Sequence, residues 1–335
     1  MIYYHSLSIS WAQVYPFIFY QRQLADRFDV EVRALPVEDF LAGRDPKCGW
    51  ADIVLVQPWF TVDPTQLANR LAQAKERHKA TRFSFVDSYA HSDVRLGKFV
   101  NPYIEFYFKK SLFLNRTLYQ KPFNGDTNLT DYYGALYELE QPLVDWEVPA
   151  SLNSKLRLSP NFFTAPRFLN SLNKKVELTQ RHRKIDVQTR IGRKGSRWYS
   201  AMRSDASQSI SNLKGITASP SGTLNYRAFM QEMRHSKICF SPFGYGELCW
   251  RDIEAMVSGA VLVKPDMSHM ETLPNLYEPD MTYVPVKWDF SDLEIVITEL
   301  LSDENRQRRI SEIAYRRMAK YVQAGSFLDQ VKCLF

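Results

Sequence analysis

A glycine-rich turn between an apolar strand and a helix is the segment of this chain best suited to chemistry. The strand pattern ends at Phe243, Gly244-Tyr245-Gly246 follows, and a helix is predicted from Leu248 to Ser258. Glycines let the backbone turn tightly with its N–H groups exposed, and the positive end of the helix points into the same turn. Such a turn is a general cradle for a phosphate group.

Three charged residues around the start of this helix have helical spacing. Glu247, Arg251 and Glu254 are separated by four and three positions, so the sequence predicts them on one helix face. The planar cation of Arg251 suits a diphosphate, and a carboxylate one to two turns into the helix can reach ribose hydroxyls. The same pattern fits a structural salt bridge in an α/β protein that binds no nucleotide, so both interpretations stay open here.

Two further segments place polar residues at predicted strand ends. Asp266, Ser268 and His269 follow the strand 260–264, at the carboxyl edge of a parallel sheet, where ligands of open α/β folds bind. They suit the hydroxyl groups of a ligand, and a loop capped by its own Asp and Ser is the alternative. Arg190, at the end of the strand 184–191, begins a basic cluster that suits a diphosphate and equally suits a solvated helix start.

The segment from Ser236 to Glu271 resembles the C-terminal domain of GT-B glycosyltransferases, in both the group-one family and the exostosin-like branch. Those domains typically carry a P-x-G/Y-x-E loop and a helix with E-A-x-x-x-G between two strands. The matching residues are Pro242, Gly244, Gly246, Glu247, Glu254, Ala255, Gly259 and the strand 261–264. The order of elements agrees from about residue 184 to 322, whereas over the N-terminal half the resemblance is only architectural.

The resemblance implies a glycosyltransferase that binds a nucleotide-sugar donor in a cleft between two Rossmann-like domains. It places Glu254 on ribose or sugar hydroxyls, and Arg251 and Lys264 on the diphosphate. Retaining members usually separate the two glutamates by one residue more than the six between Glu247 and Glu254, so retention and inversion both stay open. The chain has no D-x-D motif, the usual metal clamp of the GT-A fold, so we expect no metal ion and no cofactor besides the donor.

A general base for the acceptor hydroxyl is expected from the N-terminal half, because an inverting transfer needs one. Asp87 follows the strand pattern that starts at Arg82, Asp93 follows six residues later, and His91 lies between them. Asp93 and Asp87 rank ahead of His91 and of His5, which ends the first strand. Each of these residues also fits a turn or a helix-capping role.

The acceptor is expected to bind where sugar-compatible side chains concentrate. Asp126, Asn128 and Tyr132 lie in a segment rich in amides, hydroxyls and rings, for which an ordered polar loop is the alternative. A glycan or a lipid-linked glycan of polysaccharide biosynthesis would be the partner. The aromatic segment 106–113 also contains two lysines, which suits a peripheral contact with a membrane surface, and a buried strand flanked by lysines is the alternative.

These residues need a scaffold of alternating strands and helices, which the apolar pattern predicts. Strands at 2–5, 30–35, 52–59 and 82–89 alternate with helices at 11–28 and 64–78, and the alternation resumes at residue 184. Pro16 is tolerable only in the first turn of its helix. Strands separated by helices imply parallel sheets covered on both faces.

We therefore predict an α/β fold with two Rossmann-like domains that face each other across a cleft. The expected units are residues 1–150 on the acceptor side, residues 151–322 for the nucleotide sugar, and a tail at 323–335 that packs back toward the first domain. Three prolines between residues 141 and 161 mark the link.

The bulk composition fits a soluble globular protein. The chain has 335 residues, a net charge of +6 at pH 7 and 45% hydrophobic residues. The basic residues are dispersed apart from the runs 181–184 and 190–197, whereas a nucleic-acid binder would gather them into a stripe. The four cysteines lie far apart, and neither a signal-peptide pattern nor a run of about 18 apolar residues is present, so we expect a reducing, cytoplasmic setting.

Two other functions share these features. A nucleotide-sugar epimerase or hydrolase would turn over the donor without an acceptor. A non-catalytic module that binds a nucleotide or a glycan would bind without turnover.

Overall fold

The computed structural model describes residues 1–44, 46–173, 183–220 and 222–335. Its strands are β1 Ile2–Tyr4, β2 Ala34–Pro36, β3 Ile53–Gln57, β4 Arg82–Val86, β5 Tyr107–Lys109, β6 Leu112–Phe113, β7 Phe123–Asn124, β8 Leu143–Val144, β9 Leu156–Leu158, β10 Ile185–Gln188, β11 Ser236–Phe240, β12 Val261–Pro265, β13 Met270–Glu271 and β14 Val284–Val286. Its helices are α1 Ser8–Phe19, α2 Gln21–Phe28, α3 Val37–Leu41, α4 Pro64–Arg77, α5 Gly97–Val100, α6 Asn128–Leu136, α7 Pro166–Leu172, α8 Arg197–Ser211, α9 Tyr226–Arg234, α10 Trp250–Ser258, α11 Leu293–Ser302, α12 Glu304–Gln323 and α13 Ser326–Val331. The basic run 181–184 begins outside the described residues.

Two parallel sheets organise the chain. The first sheet has six strands in the order β2-β1-β3-β4-β5-β9, and the second sheet has four in the order β10-β11-β12-β14. In the central strand β3, the consecutive residues Val54, Leu55 and Val56 are all buried, because helices cover both faces of a parallel sheet. The predicted α/β class with parallel sheets is therefore confirmed.

Local sequence signals explain the clearest helix boundaries. Helix α4 begins after Asp63, whose carboxylate accepts the N–H of Gln66 at 2.6 Å, and Pro64 occupies the first helical position. Its apolar stripe buries Leu67, Leu71 and Ala74. The helix predicted at 64–78 therefore forms almost as its pattern indicates.

The helix predicted at 11–28 is instead two helices, and this part of the prediction was wrong. Pro16 lies inside α1, and the chain breaks at Tyr20 before α2 begins. Proline has no N–H to donate to the carbonyl four residues earlier. That carbonyl, on Ala12, accepts the hydroxyl of Thr164 at 2.7 Å, so a side chain from a distant segment satisfies it.

The first sheet includes a strand beyond residue 150, the expected end of the first unit, and the C-terminal tail packs against the first half of the chain. Strand β9, which starts at Leu156, pairs in parallel with β5 and completes the first sheet. The tail helix α13 packs the Phe327 ring against Phe17 at 4.9 Å, and Gln330 donates to the carbonyl of Leu158 at 3.0 Å. These contacts tie the end of the chain to the first sheet.

An antiparallel ladder joins the two halves of the chain directly. Strand β13 follows β12 of the second sheet and pairs with β6, with Met270 opposite Phe113. The N–H of Leu114 also donates to the carbonyl of His269 at 2.8 Å. The loop that carries His269 is therefore held against the first half.

The aromatic segment 106–113 forms buried structure. Strand β5 buries Tyr107, Phe108 and Lys109, and Lys110 is buried beside them. These residues therefore match the second interpretation given for the segment, a buried strand flanked by lysines. Within the described residues, no helix has the length and apolar character needed to span a membrane.

Candidate active site between the facing loops

The glycine-rich turn lies between β11 and α10, but the helix begins later than predicted. Asp252 accepts the hydroxyl of Ser241 at 2.7 Å and the N–H of Cys249 at 3.0 Å, so Cys249 becomes the N-terminal cap and α10 starts at Trp250. The prediction that Glu247 shares a helix face with Arg251 was therefore wrong, because Glu247 lies in the loop before the helix. The helix ends as predicted at Ser258, and Gly259, with a φ of 73°, forms the left-handed cap.

Gly246 packs against the loop that follows β4. A Cβ atom at Gly246 would lie 1.8 Å from the carbonyl oxygen of Ala90, a distance that no side chain can occupy. We call residues 87–95 after β4 and residues 241–249 after β11 the facing loops. The glycine is required here by the close approach of the two backbones, and Gly244 lies in the same turn.

Glu247 is the centre of the contact between the facing loops. Its side chain is fully buried and accepts hydrogen bonds from the hydroxyl of Ser92 and from Nδ2 of Asn128, the latter at 2.8 Å. Nε2 of His269 lies 3.4 Å from the same carboxylate. Burial raises the pKa of Glu247, but the bonds from His269, Ser92 and Asn128 outweigh it and hold that pKa below its usual value.

Asp93 and Asp126 share one guanidinium. Arg95 donates from Nε and Nη2 to the two oxygens of Asp93, at 2.8 and 2.7 Å, and from Nη2 to Asp126 at 3.2 Å. Burial opposes ionisation of Asp93, yet Arg95 lowers its pKa overall. The predicted base Asp93 is thus a stable anion with both oxygens engaged, which makes it a weak proton acceptor.

Asp87 is engaged in a similar way at the end of β4. It accepts bonds from the phenol of Tyr107 at 2.6 Å, from Lys109 Nζ at 2.7 Å and from the N–H of Tyr89 at 2.7 Å. Lys109 and Asp87 are both buried, and the Asp87 carboxylate anchors the start of the loop.

His91 and His5 have different surroundings. The His91 ring meets Tyr245 edge to face at 6.0 Å, and its Nδ1 atom is buried without a partner among the described residues. Burial lowers the pKa of His91, against the opposing effect of Asp93, so the ring is neutral at pH 7. His5 stacks on Trp59 at 4.9 Å and lies 3.8 Å from Glu38, and no described bond connects it to the facing loops.

Arg251 and Glu254 lie on α10 behind the glycine turn. Arg251 Nη2 donates to the carbonyl of Arg190, while its Nε atom is buried without a partner in the described part of the chain. Glu254 is paired with Arg167 of α7 at 3.3 Å. Burial raises the pKa of Glu254, and the two arginines oppose that shift. The guanidinium of Arg190 is itself held by Glu232 at 2.6 and 2.8 Å.

The structure gives Lys264 a different partner from the predicted diphosphate. Its side chain is fully buried at the end of β12, where Nζ lies 3.2 Å from Asp252 and 3.8 Å from the thiol of Cys249. In this arrangement Lys264 balances the carboxylate that caps α10. Its assignment to the diphosphate stays a prediction that requires this ion pair to open.

The remaining predicted residues lie in the loop after β12 and on α6. Ser268 donates to the carboxylate of Asp266, which matches the alternative of a loop capped by its own side chains. Tyr132 is 37% exposed, and its ring meets Trp288 edge to face at 5.0 Å. Trp288 also contacts His269 at 5.0 Å, so Tyr132 lies near the rim of the site.

Three residues of this site were missed by sequence reasoning. Ser92 and Arg95 lie in the loop already selected for its acids, so their position next to Asp93 was an available signal. Arg167 is 87 positions from Glu254 in sequence, and no local spacing indicates their contact.

Some buried polar atoms at this site have no hydrogen-bond partner. Among the described residues, ten buried side-chain nitrogen or oxygen atoms lack one. Three of the ten lie on the facing loops or next to them: His91 Nδ1 on the first loop, Asn128 Oδ1 on the side chain that bonds Glu247, and Arg251 Nε just after the second loop. Buried polar atoms are normally satisfied, so these three are candidate contacts for a polar ligand. Across the described residues, no group of three or more His, Cys, Asp and Glu side chains is arranged to hold a metal ion.

Comparisons with known proteins give structural similarity only. No protein-family model and no curated protein matches the chain. The crystal structure of TarM superimposes with a TM-score of 0.50 at 12% identity, over 89% of this chain and 58% of TarM. A TarM variant from S. aureus, in complex with fondaparinux, alpha-GlcNAc-glycerol and UDP, gives 0.49 at 10% identity over the same shares of 89% and 58%. A glycosyltransferase from Rickettsia africae ESF-5 gives 0.47 at 9% identity, over 98% of this chain and 93% of that protein.

The chain spans 58% of the length of TarM. At 12% identity the likeness to TarM shows a shared fold and not a shared activity. The structures that match are GT-B glycosyltransferases, so the chain is similar in fold to the proteins that the segment 236–271 resembles in sequence.

Proposed function

We propose that this protein is a glycosyltransferase that moves a sugar from a nucleoside-diphosphate sugar to a hydroxyl of a glycan acceptor without a metal ion. The two Rossmann-like domains, about residues 1–150 and 151–322, would face each other with the reaction between them. The unpartnered buried atoms of His91 and Arg251, on and just after the facing loops, carry the proposal. The TarM-like fold supports it at the level of architecture.

The donor side of the reaction is assigned to the second sheet. The Nε atom of Arg251 and the N-terminal end of α10 suit a diphosphate, and Glu254 suits ribose hydroxyls on the next turn. Negative charge grows on the diphosphate as its bond to the sugar breaks. The half-buried guanidinium of Arg251 and the oriented helix end would stabilise that charge.

The acceptor side is assigned to the loop after β4. Because Asp87 and Asp93 are already bonded to cations, His91 becomes the favoured base in place of the two acids. The acceptor oxygen bonds to the anomeric carbon, the bond from that carbon to the diphosphate breaks with its electron pair on the diphosphate, and the acceptor proton passes to His91. A single displacement of this kind inverts the anomeric carbon, so the anomeric configuration of the product tests the assignment.

Thermal stabilisation by nucleotides is the first test. UDP, GDP, CDP, dTDP, ADP and CMP are each added with Mg²⁺ and with EDTA. A ligand at a hundred times its Kd adds about 2.7 kcal/mol, which shifts Tm by several degrees. One diphosphate should stabilise the protein equally in both buffers, and a response that needs Mg²⁺ would contradict metal independence.

Turnover of the stabilising donor then separates the enzyme classes. Release of the nucleotide only when a glycan acceptor is present supports transfer. Release or isomerisation without an acceptor would favour a hydrolase or an epimerase, and binding without any turnover would favour a non-catalytic module. The cytoplasmic setting, the polysaccharide or lipid-linked acceptor and the peripheral membrane contact stay predictions from the sequence.

A further inference from the structure

A cavity beside the loop after β4 is unused by the chemistry described above. Its volume is about 400 Å³, and its lining includes Phe60, Tyr89, Arg95, Lys98, Asp145 and Trp146. Small-molecule sites commonly span about 300–1,000 Å³, so the cavity is large enough for a compact ligand. It lies at the carboxyl edge of the first sheet, where open α/β sheets bind their ligands.

Aromatic rings form the walls of this cavity and are held in place. The rings of Phe60 and Tyr89 meet edge to face at 6.0 Å, and the phenol of Tyr89 donates to the carbonyl of Phe60. Trp146 donates from Nε1 to the carbonyl of Asp126 at 2.9 Å. The guanidinium of Arg95 lies 4.5 Å from the centre of the Trp146 ring and 5.3 Å from that of Tyr89. The walls are therefore organised before any ligand binds.

The charges around the cavity are paired within the protein. Arg95 is bound to two aspartates, and Lys98 lies 3.1 Å from Glu147. Asp145 accepts the N–H of Glu147 at 2.7 Å. A free anion would have to compete with these carboxylates, and a purely apolar chain would leave the polar rim without partners. A ligand with an apolar face and polar edges suits the cavity better than either.

A pyranose ring has this character, with a C–H face that packs on an aromatic ring and hydroxyls at its edge. Phe60 is 47% exposed at the cavity, where a ligand ring would cover it. The loop from Tyr89 to His91 connects the cavity wall to the favoured base. Arg95 connects the same wall to Asp93 and Asp126.

We propose that this cavity is an acceptor subsite that binds one sugar ring against Phe60, Tyr89 and Trp146 and presents the next hydroxyl to His91. The assignment rests on the proposed glycosyl transfer. It differs from the acceptor residues Asp126, Asn128 and Tyr132 predicted from sequence, because none of those three lines the cavity.

Calorimetric titration with maltotriose, cellotriose and chitotriose tests the subsite. At least one trisaccharide should bind the full-length protein, and Phe60→Ala should weaken that binding about tenfold, because it removes a ring that the sugar would cover. Trp146→Phe keeps a ring and should weaken binding less. Trp50→Ala removes a tryptophan that is 77% exposed and lies outside this cavity, so it should bind like wild type.

Three results would overturn the subsite. They are no binding of any trisaccharide, equal binding by Phe60→Ala and wild type, and binding of octanol in place of sugars. Nucleotide stabilisation distinguishes this failure from failure of the proposed function. A protein that responds to a nucleoside diphosphate but not to sugars retains the donor site and loses the subsite. A protein that binds a trisaccharide through Phe60 but responds to no nucleotide retains the subsite and loses the transferase.

Discussion

Asn128 donates from Nδ2 to Oε1 of Glu247 at 2.8 Å, joining the first residue of α6 to the loop that precedes α10. The two residues are 119 positions apart in sequence. The other carboxylate oxygen of Glu247 accepts the hydroxyl of Ser92. Both oxygens are thus bonded from the first half of the chain, and Glu247 holds the facing loops together.

Glu247→Gln is expected to destabilise the protein. The amide replaces one acceptor with a donor that faces Ser92 or Asn128, and an unsatisfied buried group costs about 1–3 kcal/mol. Chemical denaturation measures the loss in the free energy of unfolding. Glu271→Gln is the control, because its ion pair with Arg116 is partly exposed and contributes about 0–1 kcal/mol.

The same carboxylate predicts a loss of stability in acid. The pKa of Glu247 is lowered in the folded protein, so its contribution is present above the ordinary glutamate pKa of about 4.3 and is lost as pH falls through the folded value. The difference in the free energy of unfolding between wild type and Glu247→Gln should therefore shrink below that pH. A difference that stays constant down to pH 3 would contradict the hydrogen-bonded anion.

Arg251→Met is expected to weaken the stabilisation by the nucleoside diphosphate. Hydrogen bonds to charged groups contribute about 1.5–3 kcal/mol, so affinity should fall roughly 10- to 150-fold. Arg316→Met removes an arginine that is 76% exposed on α12 and should leave the Kd unchanged. Unchanged nucleotide affinity in Arg251→Met would remove Arg251 from the donor site.

His91→Gln is expected to lower kcat by about 10²–10⁴ with the nucleotide Kd preserved, because a general base acts on the acceptor proton. The lowered pKa of His91 keeps the ring neutral below its ordinary value of 6.5, so the acidic limb of kcat/KM should lie below pH 6.5. That limb should disappear in His91→Gln. Wild-type turnover in this variant would return the role of base to one of the aspartates.

Gly246→Ala is expected to separate the facing loops. The added methyl would overlap the Ala90 carbonyl, and overpacking of this kind costs about 1–3 kcal/mol. Both Tm and nucleotide affinity should fall. Gly192→Ala is the matched control, because a Cβ atom there meets nothing within 4 Å. Equal losses in the two variants would show that the effect does not come from the contact with Ala90.

Lys110 should make stability depend on pH between neutral and alkaline conditions. Burial lowers its pKa to about 7, whereas the unfolded chain has the ordinary value of 10.5. The unfolded state binds more protons across that interval, so this residue lets stability rise as pH increases from 7 toward 10. The difference in Tm between wild type and Lys110→Met, followed across this pH range, isolates the effect. Lys320→Met serves as the control, because Lys320 is exposed on α12. Identical profiles for wild type and Lys110→Met would contradict it.

The sequence by itself determined those features that depend on neighbouring residues. Alternating apolar segments determined the parallel α/β class, and the strand, glycine turn and helix around α10 were located within a few residues. The end of the helix at Ser258 was also located, because the glycine that follows it adopts the left-handed conformation and local backbone geometry decides that stop. The start of α10 at Trp250 was missed, because it depends on the Asp252 side chain, which Ser241 after β11 and Lys264 of β12 hold in place.

Tertiary structure alone decided which of the candidate groups are engaged. Asp93 and Asp87 ranked ahead of His91 in sequence, but Arg95 and Lys109 bind the two acids, whereas His91 Nδ1 has no partner in the described chain. The pairing of Glu254 with Arg167 depends on where the crossing helix α7 packs. The physical reason is that a charge acts through distance and burial, and only the folded chain sets these for residues far apart in sequence.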